Sequence, residues 1–207
     1  MTLQKMAASA GLAACLATAA WGLTATGAIP AAGASTGTGT GTGTASSRLD
    51  AGASASPTAQ PLSAQDRMFM DEASQINLAE ISLGRYVQAH GTTRTARDLG
   101  ASYAHDHAGA QVSLGRLASR LHVTLPRSPG AQLKSVAAHV EAQTGRSKDV
   151  AFLKASVSGH KAAIAVFKKE ESAGSNPSVK AYAARYLPML QTHLRLAEHA
   201  ESVLHVS

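Results

Sequence analysis

From Ser63 onward, apolar and small side chains recur at alternating steps of three and four, the spacing of helices that each bury one stripe. In the first such segment the stripe is Phe69, Ala73, Ile76, Leu83 and Val87, with Glu80 standing in it. Ser63 followed by Asp66 predicts an N-cap with a reciprocal acid, and Gly91 predicts the stop. A second helix is predicted from about Thr95 to Leu121, with Ala96, Leu99, Tyr103, His107, Ala110, Leu114, Leu117 and Leu121 on its stripe. Pro126 and Pro129 then break the pattern. Residues 131–143 read as a short helix within a long connection, ended by Gly145. A third long helix covers roughly Lys148 to Ser172, with Val150, Leu153, Val157, His160, Ile164 and Phe167 inward. Gly174 stops it, and Asn176 with Pro177 opens the fourth. That helix carries Val179, Tyr182, Tyr186, Met189, His193, Leu196 or Ala197, Ala200 and Leu204, and Pro188 predicts a kink within it.

Four long helices, two short turns and one long middle connection predict an all-α fold, a four-helix bundle over residues 63–205, and the long connection permits a ferritin-like topology. The first 34 residues carry Lys5, then an apolar run rich in small residues, then Ala-x-Ala-like sites after Ala28 and Ala34. This is a secretory signal pattern. Two other readings stay open: an uncleaved anchor over Met6–Ala28, and a lipoprotein acylated at Cys15, since Leu12-Ala13-Ala14-Cys15 is lipobox-like. Residues 35–62, rich in Gly, Thr, Ser and Ala, have little to bury and read as a disordered tether. The expected localisation is therefore exported, periplasmic or in the cell envelope.

One polar, metal-ligating residue interrupts the stripe of every long helix: Glu80, His107, His160 and His193. His107 and His160 lie at similar depth in their helices, and Glu80 mirrors His107 across the first turn. His193 is less well matched and could stand a turn away. A buried, unpaired carboxylate or imidazole costs several kcal/mol, so four at stripe positions should compensate one another. One arrangement is a mononuclear site for Fe, Mn, Zn or Cu, with three imidazoles and one carboxylate as ligands. The other is a metal-free polar layer in which Glu80 pairs with a protonated histidine. Asp106 is placed to orient a histidine of a neighbouring helix, and Tyr103 and Tyr186 could line the site. His105, about 200° round the helix from His107, should be wet. His90, His122 and His139 fall at helix ends or in the connection, and His199 and His205 lie off the stripe. Lys168-Lys169-Glu170-Glu171 reads as a charged outer face.

Cys15 is the only cysteine, so loss of the leader would leave no disulfide, thiolate ligand or cysteine nucleophile. The net charge is +6, but lysines and arginines are scattered without interleaved aromatics. No nucleic-acid partner is expected. Membrane association is expected only through a retained leader or an acylated Cys15, and the oligomeric state is undetermined. No nucleophile–His–acid signature is present. The GTGTGTGT tract lacks the strand and helix that a phosphate loop requires.

The segments FMDEASQINLAEISLGRYV, ASYAHDHAGAQVSLGRLA with LHVTLP, FLKASVSGHKAAIAVFKKEESAGSNPSVK and YLPMLQTHLRLAEHA resemble the bacterial ferritin-like family catalogued as domain of unknown function four-one-four-two. Its members are often described as exported or outer-membrane proteins. The resemblance spans about residues 64–203 and implies a polar core at Glu80, Asp106-His107, His160 and His193, with Pro188 in the family's LP motif. Many members carry an aspartate where this chain has Gly159. Ferritin-like di-iron sites need a Glu-x-x-His pair on each of two helices. Here Ala104 precedes His107 by three and Leu190 precedes His193 by three, so no di-iron ferroxidase centre is expected. The family implies a fold rather than a reaction, which leaves open whether the protein is an enzyme.

Overall fold

A computed structural model describes residues 61–206. The expected signal segment and most of the tether lie outside the described residues. Five helices follow in order: α1 (Ala64–His90), α2 (Arg94–Arg120), α3 (Ala131–Glu141), α4 (Gly145–Ala173) and α5 (Pro177–Val206). Among the described residues there is no strand. α1 and α2 form one tight hairpin, and α4 and α5 form another. The hairpins pack with α1 on α4 and α2 on α5, while α2 and α4 meet only slightly, as diagonal partners. The α2–α4 connection crosses the bundle, and its helix α3 lies over α1 and α4. The domain is an all-α four-helix bundle of ferritin-like type.

Local chemistry sets the helix ends. Ser63 accepts from the Asp66 amide, and the Asp66 carboxylate accepts from the Ser63 amide, which closes the expected capping box. Gly91 and Gly174 stop their helices in extended, not left-handed, backbone. Their glycines are needed for room: a Cβ would stand 2.7 Å from the Val87 carbonyl at position 91, and 2.6 Å from the Glu170 carbonyl at position 174. Gly145 departs from expectation. α3 already ends at Glu141, and Gly145 opens α4 with φ +54°, a left-handed conformation that redirects the chain into the helix. α5 runs unbroken through the exposed Pro188, so no helix end is made there.

The buried face of α4 also differs from the expected stripe. Asp149, Phe152, Leu153, Ser156, His160, Ala163, Phe167 and Glu170 face inward, while Val150, Val157 and Ile164 are half-buried at the flank. Branched apolar residues suggested a face rotated by about one position. The real face carries small residues where the helices meet and acids where it reaches the turns.

Those acids join the hairpins at both ends. Asp149 of α4 accepts from the Thr92 and Thr93 amides, at 2.9 and 2.7 Å, in the α1–α2 turn. Asp66 of α1 accepts from the Ser175 and Asn176 amides, at 2.9 and 3.0 Å, in the α4–α5 turn. Beside Asp66 lies Glu170, which is fully buried and not on a charged outer face. Lys168 and Lys169 are exposed as expected. A helix facing inward every third or fourth residue brings position 170 back to the core beneath Gly174, where Gln65 donates to it at 3.1 Å.

The two acids titrate in opposite directions. Burial, followed by the Asp66 carboxylate, pushes Glu170 from its ordinary 4.5 up to about 7. Burial acts against ionisation of Asp66 too, but hydrogen bonds from the Ser63 side chain and the Asn176 and Ser63 amides outweigh it and hold Asp66 at about 2. Between pH 4.5 and 7 the folded chain keeps a proton on Glu170 that the unfolded chain has released. Stability should therefore fall as pH rises through that window, by on the order of 3 kcal/mol at most. The Asp66 contribution acts the other way and is lost as pH falls from about 3.8 toward 2. Denaturation midpoints against pH for wild type and Glu170→Gln should diverge from pH 5 to 8, with the variant the more stable at pH 8. Parallel curves would refute the assignment.

Candidate metal centre

Two apolar clusters fill the bundle, and a polar layer separates them. One contains Phe69, Met70, Leu114, Phe167 and Leu190. The other contains Leu83, Val87, Leu99, Tyr103, Phe152 and Leu153. Between them, His107 on α2, His160 on α4 and His193 on α5 are almost wholly buried. One ring nitrogen from each lies within 4.8 Å of the others. The His193 ring is level with its partners, not a turn away: its Nδ1 stands 3.3 Å from His160 Nε2.

Outer hydrogen bonds fix the tautomer of each ring. His107 Nδ1 lies 2.9 Å from Asn77 Oδ1. The Asn77 amide group donates to Gln111 Oε1 and the Tyr182 hydroxyl, so its oxygen must accept from the imidazole. His160 Nδ1 lies 2.8 Å from the Ser156 carbonyl, which only accepts. His193 Nε2 donates to the Asp106 carboxylate at 3.0 Å. Each neutral ring has thus used its one N–H outward. Three bare lone pairs remain: His107 Nε2, His160 Nε2 and His193 Nδ1.

Two of those lone pairs face each other at 3.3 Å. The third, His107 Nε2, is buried with no partner at all. In neutral rings this is repulsion plus an unmet acceptor, unless a cation stands between them. The 3.3 Å separation is what two imidazole nitrogens adopt on one tetrahedral ion with bonds of about 2.0–2.1 Å. Burial, followed by the neighbouring His160 and His193, holds His107 well below the usual imidazole range. His193 is lowered by burial, with Asp106 opposing. Both shifts favour the neutral, ligating form.

Glu80 is adjacent to the triangle and not within it. Its Oε2 is buried without a partner. Burial raises its pKa, and the proximity of His160 partly offsets that. Gly159 leaves space beside it, since a Cβ there would meet Glu80 Oε1 only at 3.8 Å. Tyr103 covers the site, its ring centroid 4.5 Å from that of His193 and 4.9 Å from that of His160, and its hydroxyl donates to the His193 carbonyl. Tyr186 does not line the site. Its hydroxyl donates to Ser113 at 2.7 Å, and its ring packs on Tyr182, about two turns back along α5. His105, His90, His122, His139 and His199 are exposed.

The pattern of stripes overlooked the residues that hold His107. From Asn77 the chain of donors runs through Gln111 Nε2 to Ser74 Oγ at 2.9 Å, and from Ser74 to the Pro126 carbonyl at 3.1 Å. Ser74 and Asn77 stand three apart on α1, Asn77 three before Glu80. That polar file was the available signal.

A buried three-histidine centre in the middle of four long helices defines the class: a ferritin-like bundle with one histidine-rich core site. The model of the family described as Domain of unknown function (DUF4142) matches residues 51–200, and the chain belongs to that family. The crystal structure of a DUF305 fragment from Deinococcus radiodurans is similar in fold, with a TM-score of 0.61 and 15% identity. The likeness covers 71% of this chain and 99% of that one. No curated protein matches the chain.

Proposed function

We propose that this is an exported protein that binds one transition-metal ion through His107 Nε2, His160 Nε2 and His193 Nδ1, with Glu80 completing the set, in a metal-handling or stress-related role. The observation that carries this reading is the convergence of three lone pairs whose rings have each spent their N–H outward. Asn77, the Ser156 carbonyl and Asp106 act as the outer groups that orient ligand imidazoles. Imidazole with carboxylate suits Zn, Cu, Fe or Mn. The N-terminal apolar run supports export.

A metal-free layer needs a proton between His160 and His193, with Asp106 balancing the charge. It leaves His107 Nε2 unmet. Elemental analysis of the untagged domain after exposure to Mn, Fe, Cu and Zn separates the two. The metal reading expects about one ion per chain, lost in His160→Ala. It also expects a 10–100-fold weaker affinity in Asp106→Asn, which keeps the fold. At 100-fold excess over Kd the ion should stabilise the protein by about 2.7 kcal/mol. No retained ion and no shift in melting would leave the layer as a structural one.

A further inference from the structure

The three ring nitrogens are closed off from solvent: His107, His160 and His193 are 0%, 1% and 2% exposed. An ion bound there has to pass through the wall of the bundle, and two carboxylates stand at that wall. Asp106, its side chain 38% exposed, takes the outward N–H of His193, so the imidazole ring stands between it and the lone pairs. Glu80 is placed differently. Its Oε2 is buried without a partner. Its Oε1 lies on the side of Gly159, 3.8 Å from where a Cβ of that residue would stand.

Glu80 and Gly159 both line a partly enclosed pocket of about 80 Å³ between α1, α3 and α4. Ala155, Ser156, Ser158 and Gly159 on its wall belong to the turn of α4 that leads into His160. The Ser156 carbonyl in that turn accepts from His160 Nδ1. The pocket thus lies one helical turn from a ligand, and Glu80, on its wall, is near enough to His160 to interact with it electrostatically. The roof is Leu133, Val136 and Ala137 of α3. This helix buries only Val140, near its far end, and its first turn has no side-chain cap. An element with so few buried contacts opens at low cost.

We infer that this pocket is the passage by which a transition-metal cation reaches the histidine centre, with Glu80 as the carboxylate that receives it at the inner end and passes it to His160. The inference rests on the metal reading. The charge of the wall favours a cation: among the described residues Glu80 is its one ionisable group, and no lysine, arginine or histidine lines it, in a chain of net charge +6. Ser158 adds an oxygen, its hydroxyl hydrogen being directed to the Lys154 and Ala155 carbonyls. The volume is sufficient, since about 10–15 Å³ admits one water and the pocket therefore holds an ion with several waters.

The test is the rate at which the untagged, metal-free protein takes up and releases Co²⁺, followed by its visible bands. Ala155→Leu and Ala137→Leu fill the pocket without touching a ligand, and the second, on the half-buried roof, serves should the first not fold. A passage is crossed in both directions, so filling it slows entry and exit alike. Association and release should both fall by about tenfold, with Kd unchanged. Rates equal to wild type in both variants overturn the passage and leave the Asp106 side as the way in. A weaker Kd with faster release and unchanged association also overturns it, because the pocket then shapes the ligands and does not admit the ion. Wild type without Co²⁺ bands refutes the metal reading itself, an outcome distinct from bands that develop at an unaltered rate in the filled variants.

Discussion

Gly84→Val should be the most damaging single substitution in the bundle, with an expected loss of 3 kcal/mol or more in urea or thermal denaturation. A Cβ at position 84 would stand 2.6 Å from the Gly100 carbonyl oxygen and 3.0 Å from the Ala104 nitrogen. Those are backbone atoms of α2, so no side-chain rotation relieves the clash; the two helices have to part. Glycine in a helix interior costs about 1 kcal/mol relative to alanine, so its presence at both 84 and 100 is explained by contact and not by propensity. The approach is mutual: a Cβ at 100 would lie 2.7 Å from the Gly84 carbonyl. Gly84→Ala and Gly100→Ala should therefore be less than additive in combination, because the first separation makes room for the second. Gly109 is the control. It is exposed on the same helix with nothing near its absent Cβ, so Gly109→Ala should stabilise by about 0.5–1 kcal/mol. Equal effects at 84 and 109 would show that helix contact is not what the glycine serves.

Asp149→Ala should cost about 3 kcal/mol. It removes the acceptor of two backbone N–H groups, Thr92 and Thr93, and charge-assisted bonds of this kind are roughly twice as strong as neutral ones. Asp149→Asn should recover less than half of that loss, since an amide offers one oxygen and sets its NH2 against the other N–H. Equilibrium denaturation of both variants decides the matter. An asparagine variant as stable as wild type would mean that packing, not the paired amides, accounts for the aspartate.

Most of the architecture could be read from the periodicity, because helix stripes, caps and proline breaks are local effects. The histidines were legible for the same reason: a titratable group at an apolar position stands out against its neighbours. What escaped was set by contacts across the bundle. Glu170 looks like part of a charged face until α4 is rotated against α1. Asn77 and Gln111 look like ordinary helix polar residues until His107 needs an orienting oxygen. Tyr186 shares the stripe of His193, yet its distance along α5 takes it to Ser113. Glu80 lies on the expected face but beside the three rings, a difference of side-chain reach that spacing does not encode.

The reciprocal aspartates carry an implication about symmetry. Asp66 precedes Gly91 by the same 25 positions that separate Asp149 from Gly174. Shifted by 83 residues, Phe69 falls on Phe152, and the N-cap Thr93 falls on the N-cap Asn176. Each aspartate grips the turn of the other hairpin, so the two halves are related as if by a twofold axis. The centre breaks that relation: the partners of Asn77, Glu80 and His107 under the same shift are His160, Ala163 and Leu190, and His193 falls opposite Ala110. A duplicated frame thus holds a single, lopsided cluster of donors, where a symmetric pair of half-sites would have supplied ligands for two ions.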